Sequence, residues 1–291
     1  MNEIKNSELI LNPDGSIYHL NLFPEDIADT IIVVGDQNRV EKVSNCFDTI
    51  EVKKSNREFV THTGWYKKKK LTALSTGIGP DNIDIVVNEL DAIANINLKT
   101  RKPNVNFRQL NLIRLGTSGA LQADIPIESF LISEYAIGFD GLLHFYSEAE
   151  KVLDEDLANA FIAHTQWKSR IPRPYAVKAS DYLLNKFSHL EVISGITLTA
   201  GGFYGPQGRK IRLALSMPEL NDCMPDFRWN NKRITNYEME SSALYGLASM
   251  LGHNACTICT IIANRASKEF TKDYHPAVDK MIKMTLDCLV K

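Results

Sequence analysis

Four times along this 291-residue chain, a short run of aliphatic or β-branched residues gives way to glycines or small polar residues. The run at 31–34 stops at Gly35-Asp36, and that at 71–76 at Gly77-Ile78-Gly79-Pro80; the run at 112–115 meets Gly116-Thr117-Ser118-Gly119, and 193–198 precedes Gly201-Gly202-Phe203-Tyr204. Short apolar runs bounded in this way read as buried strands. Helical spacing follows at 38–45, 81–94, 238–251 and 276–291, and further strand-like runs lie at 58–66, 130–136 and 255–263. Strands interleaved with helices predict an α/β fold, in which ligands gather just past the strand ends. No Pro/Ser-rich linker, repeat or low-complexity block divides the chain, so residues 1–291 are expected to form a single domain.

Composition narrows the function. With 44% hydrophobic and 23% charged residues, and no apolar stretch long enough to span a bilayer, a membrane role is not expected. The polar, acid-bearing stretch 1–14 resembles no targeting signal, so a cytoplasmic location is expected. A net charge of -2 offers nucleic acid no global attraction, and any anion must be held locally. Four lysines at 67–70 read as the solvated turn between the paired strands 58–66 and 71–76. The five cysteines are odd in number and scattered, unlike a disulfide framework. Cys256 and Cys259 fall in a strand-like run, where side chains three apart face opposite ways, so they are read as filling rather than as half a metal site.

Four clusters carry chemistry. Gly35-Asp36-Gln37-Asn38-Arg39 offers a glycine amide at a helix start, with a guanidinium one turn on. Arg114-Leu115-Gly116-Thr117-Ser118-Gly119 adds an arginine, whose planar fork suits phosphate, and two hydroxyls. Each taken alone also fits an ordinary turn or a carboxylate-paired arginine, and neither has P-loop or dinucleotide spacing. In Phe203-Tyr204-Gly205-Pro206-Gln207-Gly208-Arg209, an aromatic pair precedes an amide and a guanidinium, a set suited to a pyrimidine ring or to an aromatic-anchored turn. Tyr237-Glu238-Met239-Glu240-Ser241 reads as the acidic start of a helix, and its acids can also accept from sugar hydroxyls.

In this order the clusters resemble the nucleoside phosphorylase family of purine nucleoside and uridine phosphorylases, over roughly residues 18–265. The markers are Gly35-Asp36-x-x-Arg39, Ser75-Thr76-Gly77-Ile78-Gly79, Ile113 to Gly119, and Glu238-Met239-Glu240-Ser241. Phe203-Tyr204-x-x-Gln207-x-Arg209 looks like the uracil-reading segment of uridine phosphorylases. Asn264-Arg265 stands where purine-specific members carry Ser-Asp. The resemblance implies a mixed, twisted central sheet flanked by helices, and a phosphate site made by Gly35, Arg39, Arg114 and Thr117. Arg57 would reach the phosphate, and His19 the ribose 5′-hydroxyl, of a neighbouring subunit. Met239, Glu240 and Glu238 would flank the sugar, Phe203 would stack near the base, and Gln207 and Arg209 would read its edge. A homodimer or hexamer is implied, with no redox cofactor or catalytic divalent metal; a monovalent cation, K+, near Glu58 and Ser75 occurs in some relatives. Two departures stand out: Gln37 replaces the usual proline of the first loop, and Gly205-Pro206 differs from the common filler before the glutamine.

The implied reaction is phosphorolysis of uridine to uracil and ribose 1-phosphate, with Arg209, Gln207 and Arg114 as catalytic residues. The alternatives are a purine nucleoside phosphorylase, a nucleosidase using water, and a non-catalytic nucleoside-binding protein. The arginines argue against water, since a cationic pocket has little purpose around a neutral nucleophile.

Overall fold

Every residue of strand β1 (Thr30–Val34) is buried, as an unbroken Thr-Ile-Ile-Val-Val run requires of a strand covered on both faces. In the computed structural model, which describes residues 3–290, β1 leads into α1 (Gln37–Ser44), capped by the Asp36 carboxylate accepting from the Asn38 amide. An antiparallel meander follows: β2 (Thr49–Asn56), β3 (Phe59–Tyr66) and β4 (Lys69–Ser75). Next come α2 (Pro80–Asn95), the short pair β5 (Ile96–Asn97) and β6 (Lys102–Pro103), and then β7 (Asn111–Ala120) and β8 (Phe130–Gly138). Helix α3 (Glu155–Thr165), β9 (Tyr175–Lys178), α4 (Asp181–Phe187) and β10 (Ile193–Thr199) lead to the segment Phe203 to Arg209. Beyond it lie α5 (Leu220–Cys223), β11 (Arg228–Trp229), β12 (Lys232–Glu238), α6 (Ser241–Met250), β13 (Asn254–Asn264), β14 (Glu269–Phe270) and α7 (His275–Leu289).

The main sheet runs β11-β12-β10-β8-β13-β7-β1-β4-β3-β2, mixed in direction as expected. Strand β12 also pairs antiparallel with β7, at Asn236–Ala120 and Tyr237–Gly119. Strands β7, β13, β8, β10 and β12 therefore close a ring, and the ends of β7 and β12 meet although more than a hundred residues separate them. One apolar core lies among β1, β4, β7, α2, α6 and α7; a second, around Phe139, Phe161, Leu198 and Phe227, fills the space between α3 and the β8–β10–β12 strands. No helix among the described residues is long and apolar enough to cross a membrane.

Two expectations need correction, one of them the strand end at 115, since β7 runs on through Gly116 to Ala120. Residues 238–251 are not one helix, because β12 carries on through Glu238 and α6 begins at Ser241 with Glu240 as its N-cap. The physical cause is pairing of Thr199 with Glu238 across β10 and β12, which holds the first of the acids in the sheet. The lysine run is the exposed turn expected between β3 and β4, with Lys67 and Lys68 at positive φ; in addition Lys67 pairs with Asp287 at 2.5 Å and Lys69 donates to the Leu289 carbonyl. The hairpin tip is thereby fastened to the end of α7. Strands β2, β9 and β12 and helices α3 and α4 were not foreseen. Cys256 and Cys259 do face opposite ways, the first into the large core and the second toward Arg114, 3.6 Å from its Nη1. Burial pushes the Cys259 thiol up to about 11, with Arg114 opposing, so both cysteines remain protonated filling.

Candidate active site

The loops after β1 and β4 pack so closely that a Cβ on Gly35 would lie 3.4 Å from the Gly77 carbonyl. Arg39, buried in the first turn of α1, donates from Nη1 to the Leu115 carbonyl at 3.1 Å, which fastens that helix start to β7. Arg114 lies beside it on β7, and burial together with this neighbouring cation lowers the Arg39 pKa. Gly116 makes room for the second guanidinium, since a Cβ there would stand 2.1 Å from Arg114 Nη1. Thr117, half-buried in the same strand, has no hydrogen bond from its hydroxyl among the described residues. The structure thus brings Arg39 and Arg114 together beside β7, with Gly35 on the neighbouring loop after β1 and Thr117 further along β7.

Two glutamates balance these arginines. Arg114 Nη2 donates to Glu240 in a short bond, and its Nη1 lies 3.4 Å from Glu238 Oε2. Burial alone would lower the Arg114 pKa, but Glu240 and then Glu238 outweigh it and hold the guanidinium firmly charged. Arg114 Nε is buried with no partner. Glu240 also accepts from the Gly79 amide at 2.9 Å, where α2 begins. Glu238 is more committed still: it accepts from Thr199 Oγ1 at 2.5 Å and from the amides of Glu240 and Ser241 at 2.9 Å each. Its carboxylate is a brace for the turn that presents Met239 and Glu240, whereas the sequence suggested a sugar ligand.

The segment Phe203 to Arg209 forms a second cluster. Gln207 is buried at the end of a single 3-10 turn, Gly205–Gln207. Its Oε1 accepts from Arg209 Nη1 at 2.6 Å and from Arg265 Nη2 at 2.8 Å, and Arg265 also donates to the Gln207 carbonyl. The Arg209 guanidinium sits 3.7 Å over the Phe203 ring and that of Arg265 4.9 Å over Tyr237. Burial, reinforced by Arg209, brings the Arg265 pKa down to about 10, which leaves it a cation at neutral pH. Beside this cluster opens an apolar cleft of about 990 Å³ lined by Pro80, Phe139, Trp167, Tyr204, Arg209 and Leu213.

Not every expected residue joins these clusters. His19 pairs through Nδ1 with Glu89 at 2.6 Å, and Tyr18 lies between it and Arg57, whose guanidinium is 5.6 Å over the Tyr18 ring. These three share one edge, and none of their hydrogen bonds or ring contacts is to Arg39, Arg114, Gln207 or Glu240. Glu58 and Ser75 do adjoin, but the Ser75 hydroxyl donates to the Glu58 carbonyl and accepts from the Val60 amide, both at 2.7 Å. That pair serves the junction of β3 and β4 and does not by itself make a cation cage; among the described residues no group of three His, Cys, Asp or Glu could hold a metal. Asn264 is structural: it donates to the carbonyls of Gln122 and Ile125 and accepts from the amides of Ala266 and Ser267. The sequence reading missed Thr199, gave no role to Gly79 or Tyr237, and noted Arg265 only as part of a departure from the purine pattern.

Comparison with known proteins agrees with this geometry. Residues 29–290 match the sequence pattern of the phosphorylase superfamily. A uridine phosphorylase of Thermococcus kodakarensis is 32% identical, covering 89% of this chain and 81% of its own, and one of Haemophilus influenzae is 27% identical, covering 88% and 90%. Among solved structures, a Trypanosoma brucei nucleoside phosphorylase described as having uridine phosphorylase activity superposes with a TM-score of 0.86 at 29% identity, covering 97% of this chain and 99% of that one. With both clusters built from the family's own motifs, the chain belongs to the phosphorylase superfamily, as one of its pentosyl-transferring nucleoside phosphorylases.

Proposed function

We propose that this nucleoside phosphorylase acts on uridine, giving uracil and ribose 1-phosphate. The observation that carries the reading is the Gln207 amide, held by Arg209 and by Arg265, whose Nε lies 3.8 Å from where a Cβ on Gly119 would stand, on the same strand β7 that carries Arg114. A purine pocket would need a proton donor for the ring nitrogen, and Asn264 at that strand end spends its amide on backbone groups. The names of the relatives in Thermococcus, Haemophilus and Trypanosoma support the same base.

In this reading phosphate is held by Arg39, Arg114, Thr117 and the Gly35 amide, so that attack on the anomeric carbon becomes effectively intramolecular. The phosphate oxygen forms its bond to C1′ as the C1′–N1 bond breaks, and the electron pair of that bond leaves with the uracil ring. Charge spreading onto the ring carbonyls is met by Arg209 and Gln207, donors preorganised for an anion; one such donor is worth about 2.7–4 kcal/mol of barrier. Glu240 accepts from the ribose hydroxyls. His19 and Arg57, which share one edge around Tyr18, would complete the site of a second copy in a homodimer or hexamer.

The test is incubation of the purified chain with uridine, thymidine or inosine, with and without phosphate. Ribose 1-phosphate should form from uridine only when phosphate is present. Free ribose formed without phosphate would make the chain a hydrolase, and preference for inosine would overturn the base assignment.

A further inference from the structure

Helix α6 has no side chain of its own to cap it, because Glu240 at the N-cap turns its carboxylate toward Arg114 and the Gly79 amide. Its first amides are met from the sheet instead: Glu238 accepts from Glu240 and Ser241, and Thr199 Oγ1 accepts from Ser242 at 3.0 Å. The serine hydroxyls of the first turn then tie it down on two sides. Ser241 donates to Thr257 Oγ1 on β13 at 2.8 Å, and Ser242 Oγ lies 3.0 Å from the hydroxyl of Tyr175 on β9. Tyr175 is fully buried in a hollow that Gly138 leaves open, since a Cβ there would stand 2.4 Å from Tyr175 Cζ and 2.5 Å from Ser242 Oγ. The phenol donates to both oxygens of Asp140 at 2.9 Å, and Asp140 accepts as well from the Leu142 amide at 2.8 Å. Neither Tyr175 nor Asp140 has a part in the reaction described above.

We propose that Tyr175, held by Asp140, is a positioning residue: by fixing the Ser242 hydroxyl it sets the first turn of α6, and with it the Glu240 carboxylate, and so how strongly the site favours a ribose over a 2′-deoxyribose. The proposal deepens the reading of Glu240 as acceptor of the ribose hydroxyls and rests on it. The count of hydrogens gives the chain its direction. A phenol has one hydrogen to donate, and Asp140 takes it, so the Tyr175 oxygen can only accept from α6 and the Ser242 hydroxyl donates to it. Without that acceptor the serine would be free to turn its hydrogen back to a carbonyl of its own chain, as serines in a first turn do. Glu240 stands two residues before Ser242, and its carboxylate has to meet the Gly79 amide and Arg114 while it accepts from the sugar. Hydrogen bonds to a carboxylate shared in this way weaken steeply with misalignment, so a loosened helix start is felt first at the sugar.

The experiment assays Tyr175→Phe, Ser242→Ala and the double variant with uridine and 2′-deoxyuridine at saturating phosphate. Tyr175→Phe keeps the ring that fills the hollow and loses only the link to Ser242 and Asp140. Each single change should lower the ratio of kcat/KM for uridine to that for 2′-deoxyuridine by about fivefold, the scale of one hydrogen bond, mainly through a raised uridine KM and with no rise in phosphate KM. The double variant should lose no more than either single one, because both remove the same bond. A lowered Tm with an unchanged sugar ratio would mean a structural role alone and overturns the proposal, as do losses that add in the double variant. Should Tyr175→Phe fail to fold, Ser242→Ala decides. If inosine proves to be the substrate, the base reading fails and the same ratio is read with inosine and 2′-deoxyinosine. If no nucleoside is turned over, the function reading fails, and crystal structures of the unliganded wild type and Ser242→Ala judge the positioning role: a Glu240 carboxylate that leaves the Gly79 amide in the variant upholds it, and one that keeps its place overturns it.

Discussion

Replacing Glu240 with glutamine should weaken the free protein and tighten its grip on phosphate. Arg39, Arg114, Glu238 and Glu240 are all buried, and their formal charges cancel. At the 3.4 Å that separates Arg114 from Glu238, a pair at an effective dielectric of about 20 attracts by about 5 kcal/mol gross, and the shorter contact to Glu240 by more. Breaking a buried pair by removing one partner costs about 3–5 kcal/mol. Here Glu238 still faces Arg114, and a glutamine oxygen still accepts from either Arg114 or the Gly79 amide, so about 2–3 kcal/mol is expected. The same change leaves the pocket one positive charge in excess, and a phosphate dianion no longer competes with a carboxylate for Arg114 Nη2. Phosphate should bind about tenfold more tightly, about 1.4 kcal/mol, while uridine KM rises for want of the ribose acceptor. Thermal unfolding with and without phosphate, together with calorimetric titration of phosphate into the free chain, reads both effects. A lowered Tm that phosphate largely restores is the expected pattern; phosphate affinity that is unchanged or weaker in Glu240→Gln would refute the claim that the carboxylate and the anion share one arginine.

Other perturbations separate the parts of the site. Arg209→Ala should lower kcat for uridine by about a hundredfold or more while phosphate KM barely moves, as expected of a donor that acts on the leaving group; steady-state kinetics with both substrates varied decides this. Gly116→Ala puts a methyl 2.1 Å from Arg114 Nη1 and 3.0 Å from Cys259 Sγ, so about 1–3 kcal/mol of overpacking and a raised phosphate KM should follow; Gly205→Ala, with nothing within 4 Å of the new carbon, is the neutral control. Burial raises the Glu134 pKa, but bonds from Lys232 and Ser194 outweigh it and hold the carboxyl below its ordinary 4.5. A carboxyl depressed on folding stabilises above its unfolded value, and that contribution is lost as pH falls through the folded one. Glu134→Gln should therefore flatten the stability profile below about pH 4.5, as measured by denaturant melts across the acid range.

The phosphate loops were legible because their signal is local. A glycine closing a β-branched run announces a turn or a close approach: Gly77 sits at positive φ where a Cβ would meet Asn82, and Gly116, although β7 runs on to Ala120, leaves room for the Arg114 guanidinium. Strand β12 gave no such signal. Its Thr235, Asn236 and Glu238 are polar yet buried, because the Ile196 carbonyl accepts from Thr235, Thr197 and Ser118 bond Asn236, and Thr199 donates to Glu238. Periodicity reads side-chain polarity as exposure, so a strand whose interior is a hydrogen-bonded network looks like loop or helix start. The same blindness turned Glu238 from a brace into an apparent sugar ligand.

What sequence could not supply is charge compensation, and that is where the pocket's character is decided. Arg114 and Glu240 stand 126 positions apart, and they meet only because β12 closes back onto β7. Without that closure the two arginines would be a permanently cationic patch, ready for any anion. With it, the two arginines are balanced by two carboxylates, and on the proposed assignment a phosphate held by Arg114 would draw it partly away from carboxylates that are themselves tied to the Gly79 amide and to the turn at 238–241. Glu240, freed in the same exchange, is the group proposed to accept the ribose hydroxyls. On that assignment the ring closure would couple the two substrates through one ion pair, phosphate taking up Arg114 and the sugar Glu240.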